Sequence, residues 1–202
     1  MPKVGRFRPT DQKWAGMNTG MPCPSAVNPT GSTKNCEPIV STDNPSTSDT
    51  GHEARLMAAG ITLPAAMAPA GLYVSAVLVD DMLHIGGHGP ISDAGLVTGK
   101  VGSDLDIDEA YTAAHLTGLQ LLAAARDRLG TLDRVVRVVK IFGMVNCAPG
   151  FNQTPAVING CSQLMLDVFG DAGIHTRSAV GMAELPFDIA VEIEGIFQVT
   201  PD

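Results

Sequence analysis

The sequence predicts an α+β fold with the element order β-β-α-β-α-β-β, a sandwich with the helices on one face of a mixed sheet. Three observations carry this. Two apolar runs, 72–79 (LYVSAVLV) and 82–85 (MLHI), are separated only by Asp80-Asp81, the spacing of a hairpin. Two later stretches repeat apolar residues every three or four positions, and a glycine stops each one. Two further β-rich runs, joined through Leu185-Pro186, close the chain. With 202 residues, 45% of them hydrophobic, there is room for one domain with a real core and a tail besides.

Taken in order, residues 52–59 make a short helix that Gly60 stops, and the hairpin follows. Asp104 or Asp106 then caps a helix over Ile107–Leu129. Acidic Asp108 and Glu109 fill its first turn, Arg126 and Arg128 its last, and Gly130 ends it, all in keeping with the helix dipole. Ile107, Tyr111, Ala114, Gly118, Leu122, Ala125 and Leu129 form its apolar stripe, and the small members permit close approach to a sheet. The run 135–142 (VVRVVKIF) is β-branched and apolar on both faces, as a central strand should be. Thr154-Pro155 opens the second long helix in the N-cap/N1 order, with Val157, Cys161, Leu164, Met165 and Val168 as its stripe and Gly170 as its stop. The last strands fall near 178–183 and 189–199. One sheet face is left without helices, and a homo-oligomer would supply its cover.

Composition changes near residue 50. Residues 1–50 hold 7 of the 14 prolines, twelve Ser or Thr and the only tryptophan, Trp14, without apolar periodicity. Such a stretch buries too little to offset its chain entropy, so it reads as a mobile extension or as an arm ordered by a partner through Phe7 and Trp14. The expected organisation is therefore 1–50 as extension and 51–202 as the folded domain. A net charge of -8 argues against adhesion to nucleic acid or anionic lipid, which needs clustered Lys and Arg. No apolar run approaches the roughly 20 residues of a membrane helix, and MPKVGRFRPT lacks the apolar core of a secretory signal. The expectation is a cytoplasmic protein with neither membrane nor nucleic-acid partner. Four cysteines without a Cys-x-x-Cys pair do not make a disulfide scaffold.

Candidate chemistry concentrates in the last two strands. Along the final one, Ile189, Val191, Ile193, Phe197 and Val199 share a face, while Glu192 and Glu194 stand on the other. Two glutamates on an outward strand face need no function. The preceding strand begins Thr176-Arg177-Ser178, and if the two strands pair, Arg177 faces a glutamate. That pair is either an ordinary cross-strand ion pair or the polar half of a site, since Arg captures carboxylates bidentately and Glu holds or activates water. His84 and His88 lie four apart but on a strand running into a loop, with no third ligand, so no metal is expected. Gly86-Gly87-His88-Gly89 lacks the context of a phosphate cradle and reads as a tight strand exit. His175, beside the arginine strand, is the histidine best placed for a pocket rim, and Cys147 and Cys161 read as loop and core thiols.

The run HTRSAVGMAELPFDIAVEIEGIF resembles the C-terminal signature of the reactive-intermediate deaminase family (RidA, or YjgF): an Arg-Ser strand, a Leu-Pro turn, then alternating glutamates. GLYVSAVLVDDMLHIGGHGP resembles the family's first hairpin, and VINGCSQLMLDVF its second helix with an asparagine. The resemblance covers about 55–199, and NCAPGFNQTP points to a longer-loop branch. It implies a chorismate-mutase-like fold of the bacillus type and a homotrimer whose sheets form a central barrel. Clefts between subunits would hydrolyse enamine/imine intermediates of the 2-aminoacrylate kind to 2-oxo acids and ammonia, with no cofactor. Carried over by position, Arg177 grips the substrate carboxylate and Glu192 holds the attacking water with the Ala179 carbonyl. Tyr73 and Asn159 line the pocket. Two departures matter: Ala179 stands where many members carry Cys, and Gly86 where the hairpin usually offers a small hydroxyl, leaving room for a different or larger ligand. These keep open the alternative of a non-catalytic small-molecule sensor in the same cleft. A nuclease reading, attached to some relatives, fits poorly with an acidic chain.

Overall fold

The computed structural model describes residues 51–201, so the expected extension over 1–50 lies outside the described residues. In chain order, helix α1 (His52–Ala58) precedes strands β1 (Ala76–Val79) and β2 (Met82–His88) and a two-stranded flap, β3 (Ile91–Ser92) and β4 (Gly95–Leu96). Helix α2 (Ile107–Leu129), strand β5 (Val135–Asn146), helix α3 (Thr154–Phe169) and strands β6 (Thr176–Met182) and β7 (Val191–Val199) follow. The main sheet runs β1-β2-β7-β5-β6, parallel only between β5 and β6, with the helices on one side. This is the α+β architecture the sequence predicts.

The order corrects one expectation. Strands β6 and β7 are consecutive in sequence but do not pair, because β5 lies between them. Helix α3 carries the chain over to set β6 parallel beside β5, as a parallel pair requires. Helix α2 likewise spans from β2 to β5, leaving a slot between them one strand wide. Strand β7 fills it antiparallel to both, with Leu83 and Val138 opposite the buried Phe197.

Asp106, not Asp104, caps α2. Its carboxylate accepts from the Glu109 amide and the Glu109 carboxylate accepts from the Asp106 amide, both at 2.9 Å, closing a capping box. Asp104 instead accepts from the Lys100 amide at 2.8 Å. Gly130 ends the helix with φ 83°, the left-handed stop that glycine adopts without strain. Ala114, Gly118, Leu122, Ala125 and Leu129 are buried as expected, but the buried face is wider and takes in Ala110, Ala113, Leu121 and Ala124. Small residues dominate it because α3 lies close. A Cβ on Gly160 of α3 would overlap the Tyr111 carbonyl of α2. In α3 the whole expected stripe is buried, but Thr154 is the first helical residue rather than its cap. The Thr154 hydroxyl donates to the Ala179 carbonyl at 3.0 Å, tying the helix start to β6. Under the helices, Phe169 packs edge-on between Phe197 and His52, with ring centroids 5.9 and 4.9 Å away.

Three strand boundaries differ from expectation. Strand β1 begins at Ala76, and Leu72, Tyr73 and Val74 are exposed coil. The cause lies in β2, where pairing with β1 ends at Ile85 and the register toward β7 shifts between Ile85 and His88. Gly86-Gly87 is thus a β-bulge, not a simple exit. Strand β5 continues past Phe142 to Asn146, because it has a partner on each side as far as Val145 and β6 accompanies it to its end. The flap β3–β4 has no counterpart in the sequence reading, because two-residue strands carry no period. On the face away from the helices stand Val77, Val79, Met82, His84, Phe142, Met144, Ile196 and the two glutamates, several of them exposed.

Candidate active site

Glu192 projects from β7 on the face away from the helices, opposite Met144 of β5. The bulge in β2 brings the backbone of Gly87 against it, so closely that a Cβ on Gly87 would overlap the Glu192 Oε1. A cavity of about 190 Å³ opens there. Its walls are Glu192, Gly87 and His88 from the strands, Ser75 and Tyr73 from the coil before β1, and Phe187 from the turn before β7. The coil 67–70, Leu96 of the flap and Ile189 add to an otherwise apolar lining. Burial pushes the Glu192 carboxyl above the ordinary carboxylate range, and the like charge of Glu194 two residues on adds to it. A carboxyl so placed sheds and regains a proton closer to neutrality, the property required of an acid–base catalyst.

The aromatic walls are fixed by backbone. Tyr73 is 55% exposed, and its hydroxyl accepts from the Ala70 amide at 3.2 Å, bracing the coil around the cavity. Phe187 is 75% exposed and, like Asp188, holds a left-handed backbone (φ 57° and 56°) that side chains rarely adopt. A polar clamp holds that turn. The fully buried Asn146 donates to the Asp188 carboxylate at 2.8 Å and accepts from the Lys100 ammonium at 2.8 Å, while Lys100 also donates to the Ala183 carbonyl at 2.7 Å. The Gly99 amide donates to the Asp188 carbonyl at 2.8 Å.

Arg177 lies elsewhere. On β6 it is in register with the buried Ile141, so its side chain is on the helix side of the sheet. There Nη1 donates to Asn159 Oδ1 and Ser162 Oγ, both at 2.9 Å, and Nη2 to the Pro155 carbonyl at 3.3 Å. These take three of the five guanidinium N–H groups and leave two, enough to receive one carboxylate. Within one chain, therefore, Arg177 and Glu192 do not face each other across paired strands. β5 separates their strands and they occupy opposite faces of the sheet.

The other expected residues divide between these two places. Asn159 is with Arg177, and Tyr73 is with Glu192. The Ala179 carbonyl is occupied by the Thr154 hydroxyl rather than free toward the cavity. Gly86 donates its amide to the Ser75 carbonyl at 2.9 Å and accepts from His88 Nδ1 at 2.8 Å, and a Cβ there would meet only Ser75 O at 3.7 Å. A side chain at Gly86 would thus meet little, but Gly87 is the glycine that borders the cavity. His88 is held below the ordinary imidazole range by burial, against the opposing pull of the Gly86 carbonyl. His84 is exposed and His88 buried beyond the bulge, and no group of three potential metal ligands converges among the described residues. Cys161 is a core thiol, pushed up to about 12 by burial. Sequence reasoning missed Gly87, Ser75 and Phe187, whose positions depend on the bulge and on the turn before β7.

Helices over one face of a mixed sheet, with an Arg-Ser strand at its edge and alternating glutamates at its centre, define a chorismate-mutase-like α+β protein. Residues 53–192 match the sequence model of the family described as "YjgF/chorismate_mutase-like, putative endoribonuclease", and the chain belongs to that family. Protein TCP17 of Trypanosoma cruzi is 45% identical over 148 residues, spanning 72% of this chain and 92% of the relative. Protein Atu1372 of Agrobacterium tumefaciens, a crystal structure of unknown function, is 39% identical and covers 74% of this chain and 92% of its own, with a TM-score of 0.68. A Shewanella oneidensis MR-1 protein, also described as an endoribonuclease of that provisional kind, superposes with a TM-score of 0.71 at 28% identity, covering 74% and 99% of the two chains. Among the described residues no helix is long and apolar enough to cross a membrane.

Proposed function

We propose that the protein hydrolyses reactive enamine or imine acids to 2-oxo acids and ammonia, in clefts formed between copies of the chain. The carrying observation is Glu192, a carboxyl with a raised proton affinity set in a small apolar cavity under two aromatic walls. In the reaction, Glu192 holds a water and accepts its proton as the oxygen attacks the imine carbon. Glu192 returns that proton to the carbinolamine nitrogen, the C–N bond breaks to release ammonia, and the hydroxyl proton passes to the Glu192 carboxylate and on to solvent, leaving the carbonyl of the 2-oxo acid. The substrate carbon is already electrophilic, so orientation and charge stabilisation supply most of what is needed.

Arg177 is the carboxylate grip. It serves a site containing Glu192 only if the edge strand β6 of one copy meets the cavity of the next. That arrangement agrees with its two uncommitted N–H groups and with a sheet face that no helix of the described residues covers. A homotrimer meets the requirement, each cleft drawing Arg177 and Asn159 from one protomer and Glu192 and Tyr73 from its partner. RNA is a poorer substrate, because residues 51–202 carry 8 basic against 17 acidic side chains.

The test generates 2-aminoacrylate from serine with a pyridoxal-phosphate dehydratase and times its decay. The wild type accelerates decay, Arg177→Ala does not, and Glu192→Gln loses about 10²- to 10⁴-fold, the usual worth of an acid–base group. Decay with wild type no faster than without protein overturns the reading in favour of a non-catalytic binding protein, and equal acceleration by wild type and Arg177→Ala removes Arg177 from the site.

A further inference from the structure

Arg177 is not simply near Ser162. It is the end of a hydrogen-bonded chain whose every direction is fixed. His175 Nδ1 lies 2.6 Å from the Gly173 carbonyl, which only accepts, so the hydrogen is on Nδ1. A neutral ring then presents Nε2 as an acceptor, and Ser162 Oγ is 3.0 Å from it, so the hydroxyl hydrogen goes to His175. The Ser162 oxygen is left with its lone pairs for Arg177 Nη1, at 2.9 Å. Burial holds the imidazole below its ordinary range, aided by the Arg177 cation and opposed by the Gly173 carbonyl, which agrees with a neutral ring. The far end of the chain is rigid: a Cβ on Gly173 would overlap the Met165 carbonyl of α3, so that turn is seated against the helix.

We propose that Ser162 and His175 are positioning residues that orient the Arg177 guanidinium, so that its two uncommitted N–H groups are presented to the substrate carboxylate. Asn159 supplies the second anchor on Nη1. Without the relay, the guanidinium keeps Asn159 on Nη1 and only the longer bond from Nη2 to the Pro155 carbonyl, so its plane is held less firmly and the carboxylate meets a less well directed cation. Binding weakens while the acid–base step at Glu192 is untouched. The inference rests on Arg177 as the carboxylate grip; the relay itself does not.

The experiment uses the full chain in two arms. In the first, ¹⁵N spectra of histidine-labelled wild type at neutral pH show His175 protonated at Nδ1 and not at Nε2. In the same arm the Arg177 Nε–H signal, assigned by its loss in Arg177→Lys, shifts or broadens in Ser162→Ala and returns toward its wild-type position in Ser162→Thr, which keeps the hydroxyl. In the second arm, Ser162→Ala raises KM for the imino acid about tenfold with kcat nearly unchanged, as expected for one lost hydrogen bond to a charged group, and Ser162→Thr recovers most of it. An Nε2-protonated His175, or an Arg177 signal indifferent to Ser162→Ala, overturns the proposal. So does an unchanged KM in a chain whose wild type turns over. If the wild type shows no turnover, the functional reading falls by itself, and the Arg177 signal alone decides the relay.

Discussion

Glu192 and Glu194 sit two apart on one strand face, yet only the first is lodged in a cavity. The raised proton affinity of Glu192 has burial as its main cause and Glu194 as its second. If Glu192 acts ionised, the acid limb of the pH–kcat/KM profile lies above the ordinary glutamate range. Glu194→Gln removes the like charge and moves that limb to lower pH, and a profile that stays put would assign the limb to another group. The same shift has a stability consequence. The native state holds the Glu192 proton more tightly than the unfolded chain, so stability falls as pH rises through the native value. Glu192→Gln is therefore expected to raise Tm at neutral pH, with the advantage vanishing as pH falls below the ordinary glutamate range, even as activity is lost. Residue identity made Arg177 and Glu192 visible in sequence, and the family resemblance pointed to Tyr73. Gly87 and Phe187 carried no such mark, because one matters for a contact across strands and the other for a backbone that only the folded turn imposes.

Elements owe their bounds to local chemistry and their closeness to a few small residues. Asp106→Ala opens the capping box of α2 and is expected to cost about 1 kcal/mol, read as a fall in the denaturation midpoint. Gly160→Ala forces a methyl onto the Tyr111 carbonyl and must push α3 from α2, at a cost of about 1–3 kcal/mol. A neutral outcome would mean that the helices slide freely, against the backbone-to-backbone contact seen here. Both helices were legible from stops and stripes, because those signals are local, whereas the caps were not: Asp106 had Asp104 as a rival and Thr154 proved to be the first helical residue. The mistaken pairing of β6 with β7 came from adjacency in sequence, which says nothing of the slot that two helical crossovers leave beside β5.

On the scale of the whole molecule, no layer among the described residues covers the sheet face bearing Val77, Val79, Phe142 and Ile196, and the two halves of the proposed site lie on opposite sides of the sheet. Light scattering is expected to return three times the 21.0 kDa chain mass. If each cleft takes Arg177 from one protomer and Glu192 from another, two inactive variants rescue each other. Arg177→Ala and Glu192→Gln, unfolded together and refolded as a mixture, are expected to regain about one quarter of wild-type activity, the fraction of intact sites in random head-to-tail rings. No recovery would place both groups in one chain's site. The sequence by itself determined the α+β class, the extents and glycine stops of the two long helices, and which side chains could do acid–base and carboxylate chemistry, since periodicity, turn residues and functional groups are written residue by residue. Only the tertiary structure decided which of those side chains meet. Strand order and the β2 bulge are set by long-range pairing, and they put Glu192 into a cavity with Tyr73 and Phe187 while turning Arg177 to Ser162 and His175 on the other face.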